Sequence, residues 1–443
     1  FIPDVARAGA RAVLTERASV DVPDGVAVLY VPNLQEALDT IVPYFYDYPA
    51  RAMRVIGITG TNGKTTTSYL VRAILRHAGH RVGLIGTIQA MIEDEVLPTS
   101  NTTPDIIVLQ QMLAEMRTRG IDTVVMEVSS HALALGRVAG IEFDTAAFTN
   151  LTQDHLDFHK TMENYALAKA HLFELVSAPG TKEGKTAVLN ADDAASETMR
   201  AHTHCPVITY GVDHPADLTA QDVQLACDGM ELTLMHGGKR LFHLHTGITG
   251  LFNVHNVLAA VGASLAEHVE AADISAALTA FTGVPGRFEL VREGQDFAVI
   301  VDYAHTPDGM ENVLRTARAV TKGRIIAVFG CGGDRDRTKR PIMGRIGAEM
   351  ADIAILTSDN PRTEDPAAIV DEVERGVLPV IGDKPYEKIV DRRTAIFHAI
   401  GRAQAGDTVV ILGKGHETYQ ILKDGTIHFD DREQAREAIR SRA

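Results

Sequence analysis

The chain has no tryptophan, only three cysteines, no lysine-rich block and no long apolar run. Cys205, Cys227 and Cys331 stand far apart without a Cys-x-x-Cys pair. That argues against a zinc ribbon or a disulfide framework and fits a reducing, cytoplasmic compartment. No uninterrupted apolar stretch approaches the roughly 18 residues that span a bilayer, so membrane insertion is not expected. The absence of a basic block, with a formal charge of -15, argues against nucleic-acid binding. It leaves anionic small ligands open, because local donors hold those and not net charge. The first residue is Phe1 and no signal-peptide pattern follows it. The chain is expected to begin inside a domain.

What is present is enough for several cores. The chain has 443 residues, of which 45% are hydrophobic, which predicts two or three domains and little disorder. Residues 1–49 carry short strand-like pieces, Ala12 to Leu14 and Val26 to Tyr30, and a helix-like Leu34 to Leu38. They are too short for a robust core and read as part of a domain. From Arg54 to Thr59 runs a continuous apolar strand of the kind buried in parallel sheets. A helix over Thr65 to Ala78 follows, then strands at Arg81 to Ile85, Thr123 to Val128 and Thr145 to Thr149. Strands alternating with helices predict a doubly wound sheet. The more polar stretch from Ala216 to Leu244 reads as antiparallel strands appended to it. After the breaker Gly283-Val284-Pro285-Gly286 a second series begins, at Phe297 to Val301, Arg324 to Phe329, Ile353 to Leu356 and Thr408 to Leu412. It predicts a separate Rossmann-like domain. The expected division is 1–49, 50–284 and 285–443.

Gly60-Thr61-Asn62-Gly63-Lys64-Thr65-Thr66 lies between the first apolar strand and its helix. Glycines there let backbone N–H groups close around phosphate oxygens, the helix N-terminus favours negative charge, and Lys64 neutralises the terminal phosphates. Thr65 would place a hydroxyl on Mg²⁺. The general phosphate-loop pattern wants a glycine six positions before Lys64, where this chain has Ile58. A kinase, a GTPase or an ATPase could each carry such a loop.

The loop with its own glycine spacing is similar to that of the Mur ligases and their folylpolyglutamate synthetase relatives. The resemblance continues through Asn101-Thr102-Thr103-Pro104, Glu127-Val128-Ser129-Ser130-His131, Asp154-His155-Leu156-Asp157, Asn253-Val254-His255-Asn256, Gly286-Arg287-Phe288-Glu289, Asp302-Tyr303-Ala304-His305-Thr306-Pro307, Asp359-Asn360-Pro361-Arg362 and Gly413-Lys414-Gly415-His416-Glu417. It implies an α/β chain of three-domain Mur ligase architecture, with a central phosphate-loop ATPase domain, a C-terminal Rossmann-like domain and an incomplete N-terminal domain. It also implies an ATP- and Mg²⁺-dependent ligase of peptidoglycan synthesis, expected to be a monomer.

By this resemblance Thr65 and Glu127 hold one Mg²⁺ beside the β- and γ-phosphates. His155 and Lys169 hold a second, Lys169 as a carbamate (N6-carboxylysine). On sequence alone Lys169 falls on the apolar stripe of a helix from Glu163 to Val176 and reads as a snorkelling side chain. A partly buried amine can, however, lose its proton and react with CO₂, which turns a cation into an anion. The histidine pairs His155/His159, His202/His204 and His243/His245 do not make a zinc site, since no thiolate lies near. Asn256, expected to open a helix, resembles the family's adenine contact. Arg287, Asp302 and His305 match residues that grip the nucleotide and assist the chemistry. Thr102, Thr103, Ser129, Arg137 and Lys169 match contacts to UDP-MurNAc-L-Ala-D-Glu. Leu135 departs from relatives that carry glutamine there, and further substrate contacts of the family lie upstream of Phe1.

Asp359-Asn360-Pro361-Arg362 is similar to the signature of members that add meso-diaminopimelate. That amino acid ends in both a carboxylate and an ammonium. Arg362 can take the carboxylate with two hydrogen bonds, Asn360 completes the donors and acceptors, and Glu417 can take the ammonium. Arg335, Asp359 and Gly413 match further contacts. Two other readings stand beside it: a ligase of the same superfamily that adds L-lysine or glutamate, and a nucleotide-binding regulator without ligation. The joint presence of Lys64, Glu127, His155 and Lys169 speaks against the regulator, which needs no second metal.

Overall fold

The computed structural model describes residues 2–97 and 101–442. Its largest sheet runs, in spatial order, Lys239–Thr246, Gly229–His236, Leu218–Ala226, Val207–Gly211, Thr186–Asn190, Thr145–Phe148, Arg54–Thr59, Thr123–Glu127, Val82–Ile85, Ala90–Ile92 and Glu95–Leu97. The middle is parallel and both margins are antiparallel. Arg54–Thr59, buried almost throughout, lies between Thr145–Phe148 and Thr123–Glu127. Chain order reverses there, so the loop after Thr59 opens at the crevice where such sheets bind ligands.

The helix Lys64–His77 follows that loop and buries Leu70, Val71, Ile74 and Leu75, an i, i+1, i+4, i+5 stripe. It packs beside Leu251–Ala266 in one hydrophobic cluster. On the opposite face, Met162–Ser177 buries Tyr165, Ala170, Leu172, Phe173 and Val176. Its start is fixed by Thr161, whose hydroxyl accepts the N–H of Asn164.

A second sheet is ordered Glu289–Leu290, Ala298–Asp302, Thr408–Leu412, Ile325–Phe329, Ile353–Leu356 and Tyr386–Lys388, parallel except for the first pair. Helices on both faces give it two hydrophobic clusters of its own. The chain is thus the expected α/β type, with two parallel sheets. In residues 2–48 only Val42 and Pro43 are buried among the described residues, consistent with the thin core expected there.

Some expectations needed correction. The helix expected over Leu34 to Leu38 runs Leu34–Phe45, through Pro43; Asn33 fixes its start by accepting the N–H groups of Gln35 and Glu36. Asn256 does not open a helix. Leu251–Ala266 begins at a glycine N-cap one turn earlier, so Asn256 stands in its second turn. Thr186–Asn190, Val207–Gly211 and the hairpin Ala90–Ile92/Glu95–Leu97 carry no strong alternation and escaped the sequence reading.

Beneath the carboxyl edge of the second sheet lies a buried ion pair. Arg392 donates from Nε and Nη2 to the two oxygens of Asp431, at 2.7 and 2.6 Å, with both side chains fully buried. Its remaining N–H groups reach the carbonyls of Ser358 and Leu412. Replacing Arg392 by methionine would strand the Asp431 carboxylate, a change that typically costs about 3–5 kcal/mol. Denaturant unfolding, followed by a probe in the second sheet, should show that loss for Arg392→Met. A loss under about 1 kcal/mol, within the range of ordinary surface changes, would show the pair to be dispensable.

Candidate active site

The phosphate-type loop is held by close approach. Gly60 has φ +151°, and a Cβ there would stand 1.8 Å from the Thr149 hydroxyl oxygen. Gly63 has φ +86°, and a Cβ would stand 2.3 Å from Oδ1 of Asn256. Neither position tolerates a side chain. That accounts for the glycine spacing, which departs from the general pattern at Ile58. Gly63 caps the helix Lys64–His77 without a side-chain bond, so its first N–H groups remain directed at the loop.

Lys64 bends back over this loop and donates to the carbonyls of Gly60 and Thr61, at 3.0 and 2.9 Å. Desolvation holds its amine below the usual lysine range, while Glu127 opposes that shift. Glu127 ends the strand Thr123–Glu127, fully buried. It accepts from the Thr65 hydroxyl (3.1 Å), the Thr87 N–H (2.9 Å) and the Thr87 hydroxyl (2.9 Å). All three are neutral donors. A buried carboxylate with a hydroxyl beside it supplies the hard oxygen ligands that Mg²⁺ takes.

Lys169 is buried and donates to the same Gly60 carbonyl, at 2.7 Å. Its Nζ also lies 4.3 Å from the centre of the Tyr165 ring. Burial first, and then the charge of Lys64, pushes its amine well below the usual range. His155 meets the other side of this cluster. It takes a left-handed conformation (φ +52°) and packs edge-on to Tyr165 and His131. Tyr165 thus brings Lys169 and His155 against one ring. The other histidine pairs are occupied on the surface: His202 by Glu174, His243 by Thr233 and His245 by Glu231. Among the described residues, no group of three or more His, Cys, Asp or Glu side chains could hold a metal ion.

A cavity of about 570 Å³ opens over the loop and is walled by both sheets. From the first come Thr61, Asn62, Gly63, Lys64, Thr65, Thr66, Thr102, Glu127, Ser129, His155 and Asn256, and from the second Arg287, Asp302 and His305. Arg287 spans the two: it donates to the Thr65 hydroxyl at 3.2 Å and lies over the Tyr303 ring at 4.6 Å. Asp302 accepts the N–H groups of Phe288 and Ala304, and so clamps the turn that carries Arg287. His305 packs on Tyr303 and directs Nδ1 at its carbonyl. Thr103 differs from Thr102 and Ser129. It is fully buried, and its hydroxyl donates to the Glu127 carbonyl while accepting the Ser129 N–H. Arg137 donates to the Thr103 carbonyl. Thr103 therefore orients Ser129 and Arg137 and does not itself face the cavity.

Arg335, Asp359, Asn360, Arg362, Gly413 and Glu417 lie outside this cavity and gather at the carboxyl edge of the second sheet. Asn360 donates to Glu417 at 2.8 Å, and the buried Lys414 donates to both of them, at 3.1 and 2.9 Å. Gly413 packs on the Asp359 carboxylate. Arg362 is left-handed (φ +53°) and donates from Nη1 to the Gly333 carbonyl at 2.8 Å. Arg335 is exposed and bonds only its neighbour Asp334 among the described residues.

Sequence reasoning missed several members. Thr87 stands in a bend after Val82–Ile85, with no motif to mark it, yet makes two bonds to Glu127. Asp308, in the first turn of the helix Pro307–Val320, accepts from Asn62 of the phosphate loop at 2.8 Å. Asp192 lines the cavity and is held down to about 2, where bonds from the Val212 and His214 N–H groups and from His255 outweigh burial. Lys414 was visible in Gly413-Lys414-Gly415-His416-Glu417 but carried no assigned role.

The family model for the Mur ligase middle domain matches residues 58–264, and that for the Mur ligase glutamate ligase domain matches residues 286–415. A UDP-N-acetylmuramoyl-L-alanyl-D-glutamate–2,6-diaminopimelate ligase of Bacillus cereus is 50% identical, over 100% of this chain and 89% of its own. The ligase of the same name from Listeria innocua is 47% identical, over 99% of this chain and 88% of its own. A solved structure of a ligase with that name superposes with a TM-score of 0.68 at 33% identity, over 100% of this chain and 89% of that one. A folylpolyglutamate synthase of Mycobacterium tuberculosis, 20% identical, shares the fold with a TM-score of 0.69, over 85% of this chain and 92% of its own. With two family models matched in order across both sheets and relatives near half identity over the whole chain, the chain belongs to the Mur ligase family.

Proposed function

We propose that the chain catalyses ATP-dependent addition of meso-diaminopimelate to UDP-MurNAc-L-Ala-D-Glu, a step in peptidoglycan precursor synthesis. The observation that carries this reading is the polar cluster at Asp359-Asn360-Pro361-Arg362. The Arg362 guanidinium reaches the Asn360 carbonyl, and the Asn360 side chain with the buried Lys414 fixes the Glu417 carboxylate. Such a pair suits a zwitterionic amino-acid end. Relatives named for this reaction, at 46–50% identity, support it. In this reading residues 1–49 form part of an N-terminal substrate domain, 50–284 bind ATP and 285–443 bind the amino acid. A cytoplasmic monomer fits substrates that are nucleotides and a free amino acid.

In the first step an oxygen of the terminal D-glutamyl carboxylate attacks the γ-phosphorus of ATP. The bond to the β-phosphate oxygen breaks, ADP leaves and an acyl phosphate remains. The diaminopimelate amine then attacks the acyl carbon, loses a proton and expels phosphate. The protein's part is charge neutralisation and positioning. Lys64 and the N–H groups after Gly63 would face the phosphates. Arg287 would follow the γ-phosphate from the second sheet, and Asn256 and Asp302 would border the nucleoside. Thr102, Ser129 and Arg137 would meet the UDP-linked peptide. Thr65 and Glu127 fit one Mg²⁺, and His155 with carbamylated Lys169 a second. Bound there, the ions would neutralise phosphate charge and orient both reacting oxygens. A neutral Lys169 amine can add to CO₂, forming an N–C bond and releasing a proton, and the resulting anion would sit near the Lys64 cation.

Three measurements test this. The product formed by the purified chain from UDP-MurNAc-L-Ala-D-Glu, ATP and candidate amino acids should gain the mass of one diaminopimelate less water. A lysine adduct alone, or none, overturns the assignment. Lys169→Ala should lose at least the roughly 10- to 100-fold that loss of a metal's supporting shell costs, and a short carboxylic acid should restore part of it. Wild-type turnover in that variant would remove the second-metal role.

Arg362 should govern the choice of amino acid. Its Nη1 is held by the Gly333 carbonyl, which leaves the Nε–Nη2 edge for a carboxylate. With lysine bound, that edge would face an ammonium and stay unpaired. Leaving one member of a desolvated pair alone costs about 3–5 kcal/mol, on the order of a hundredfold to a few thousandfold in preference. Arg362→Ala should raise the KM for diaminopimelate steeply, narrow its advantage over lysine and leave the KM for ATP nearly unchanged. Arg362→Lys should rescue poorly, since a point charge lacks the fork. A wild-type ratio of kcat/KM values in Arg362→Ala would sink the specificity assignment while the ligase assignment stands.

A further inference from the structure

Arg340 is one basic residue among many in the sequence, and its side chain is fully buried in the fold. Nothing in the reaction as derived uses it. It stands near the start of the helix Lys339–Met350, below the loops that follow Ile325–Phe329 and Ile353–Leu356. Its fork meets Glu364 with two parallel bonds, Nη2 to Oε1 at 2.8 Å and Nη1 to Oε2 at 2.9 Å. Nη1 also reaches Glu372, on the helix Pro366–Val377, at 2.9 Å, and Nη2 reaches the Gly332 carbonyl at 3.2 Å.

Glu364 passes this anchorage on. Its Oε1 accepts the Asp334 N–H at 2.6 Å. The Asp334 carboxylate accepts the Thr363 N–H and hydroxyl, at 3.1 and 2.7 Å. Gly333 donates to the Asn360 carbonyl at 2.9 Å, and its own carbonyl holds Nη1 of Arg362. Two non-glycine residues in this lacework, Asp334 and Arg362, both hold φ near +53°. Such conformations persist only where the surroundings over-determine them. Residues 332–334 have no regular secondary structure to do so, and the buried Arg340 with the half-buried Glu364 is the charge pair that ties them down.

We propose that Arg340, acting with Glu364, is a positioning residue for the amino-acid site: it sets the loop whose Gly333 carbonyl aims the Arg362 fork. This rests on the diaminopimelate reading of that site. Arg340 touches no reacting group. Its contribution reaches the substrate only through the direction of Arg362. The Glu372 arm, by contrast, joins two helices and serves packing.

The test compares Arg340→Lys, Glu364→Gln and Glu372→Gln in the full chain, with KM and kcat for each of the three substrates and thermal midpoints beside them. A lysine cannot reproduce the two-pronged bond. Arg340→Lys and Glu364→Gln should raise the KM for diaminopimelate roughly tenfold to a hundredfold, the scale of a misplacement near 1 Å. The KM for ATP and for UDP-MurNAc-L-Ala-D-Glu should stay within about twofold. Glu372→Gln should lower the thermal midpoint without that selective rise. In an Arg362→Ala background, Glu364→Gln should add little, because the group it aims is gone. If Arg340→Lys does not fold, Glu364→Gln, whose side chain is partly exposed, carries the test alone. A rise shared by all three substrates, the same selective rise in Glu372→Gln, or full additivity with Arg362→Ala overturns the proposal. Should Arg362→Ala itself leave the diaminopimelate KM unchanged, the reading of the site fails. Should only the Arg340 and Glu364 variants leave it unchanged, this inference fails alone.

Discussion

Lys64 and Lys169 share one carbonyl oxygen, that of Gly60. Two ammonium groups cannot both stay charged at such a place, in a site partly closed to water, without a strong penalty. Burial lowers both amines; Glu127 and Asp154 oppose the shift at Lys64, whereas at Lys169 the charge of Lys64 adds to burial and Asp154 alone opposes it. Of the two, Lys169 is the one pushed well below the usual lysine range. The shared carbonyl exists because Gly60 takes φ +151° against Thr149 and brings its backbone within reach of both helices.

The second constraint is the meeting of two carboxyl edges. The loop after Arg54–Thr59 and the turn after Ala298–Asp302 form opposite walls of one cavity, and Arg287 crosses it to Thr65. The crossing point is Gly286. At φ +66° its Cβ would collide with the backbone N of His416, at 2.0 Å. The turn that carries Arg287 therefore lies directly on the loop that carries Glu417. Tyr303 fills the corner, with Arg287 over its ring and His416 beside it. Movement of one sheet relative to the other would change the nucleotide wall and the amino-acid cluster together, as expected of ligases that close on their substrates.

The amino-acid cluster shows how far charge is prearranged. Lys414 is buried between Asn360 and Glu417, so the carboxylate is oriented before any ligand arrives. Such prepositioning lowers the ordering cost of binding.

The sequence by itself determined the two series of apolar strands and their order, though not Thr186–Asn190, Val207–Gly211 or the hairpin Ala90–Ile92/Glu95–Leu97. Apolar runs such as Arg54 to Thr59 and Thr408 to Leu412 read as buried parallel strands, and Gly60 to Thr66 as a glycine turn before a helix. It also marked most groups at the site, because these fall at strand ends where ordered motifs collect. It placed Lys169 on an apolar stripe without saying what that stripe faces. What tertiary structure alone decided is partnership. Thr87, Asp308 and Arg340 belong to no local pattern, and their roles come from residues 40, 246 and 24 positions away. Thr103 and Thr102 are adjacent and chemically alike, yet one is sealed beneath Ser129 and the other opens on the cavity. Periodicity reports which face of an element is buried, since that is a property of neighbouring residues. Which donor meets which acceptor depends on how separate elements pack, and no local spacing encodes that distance.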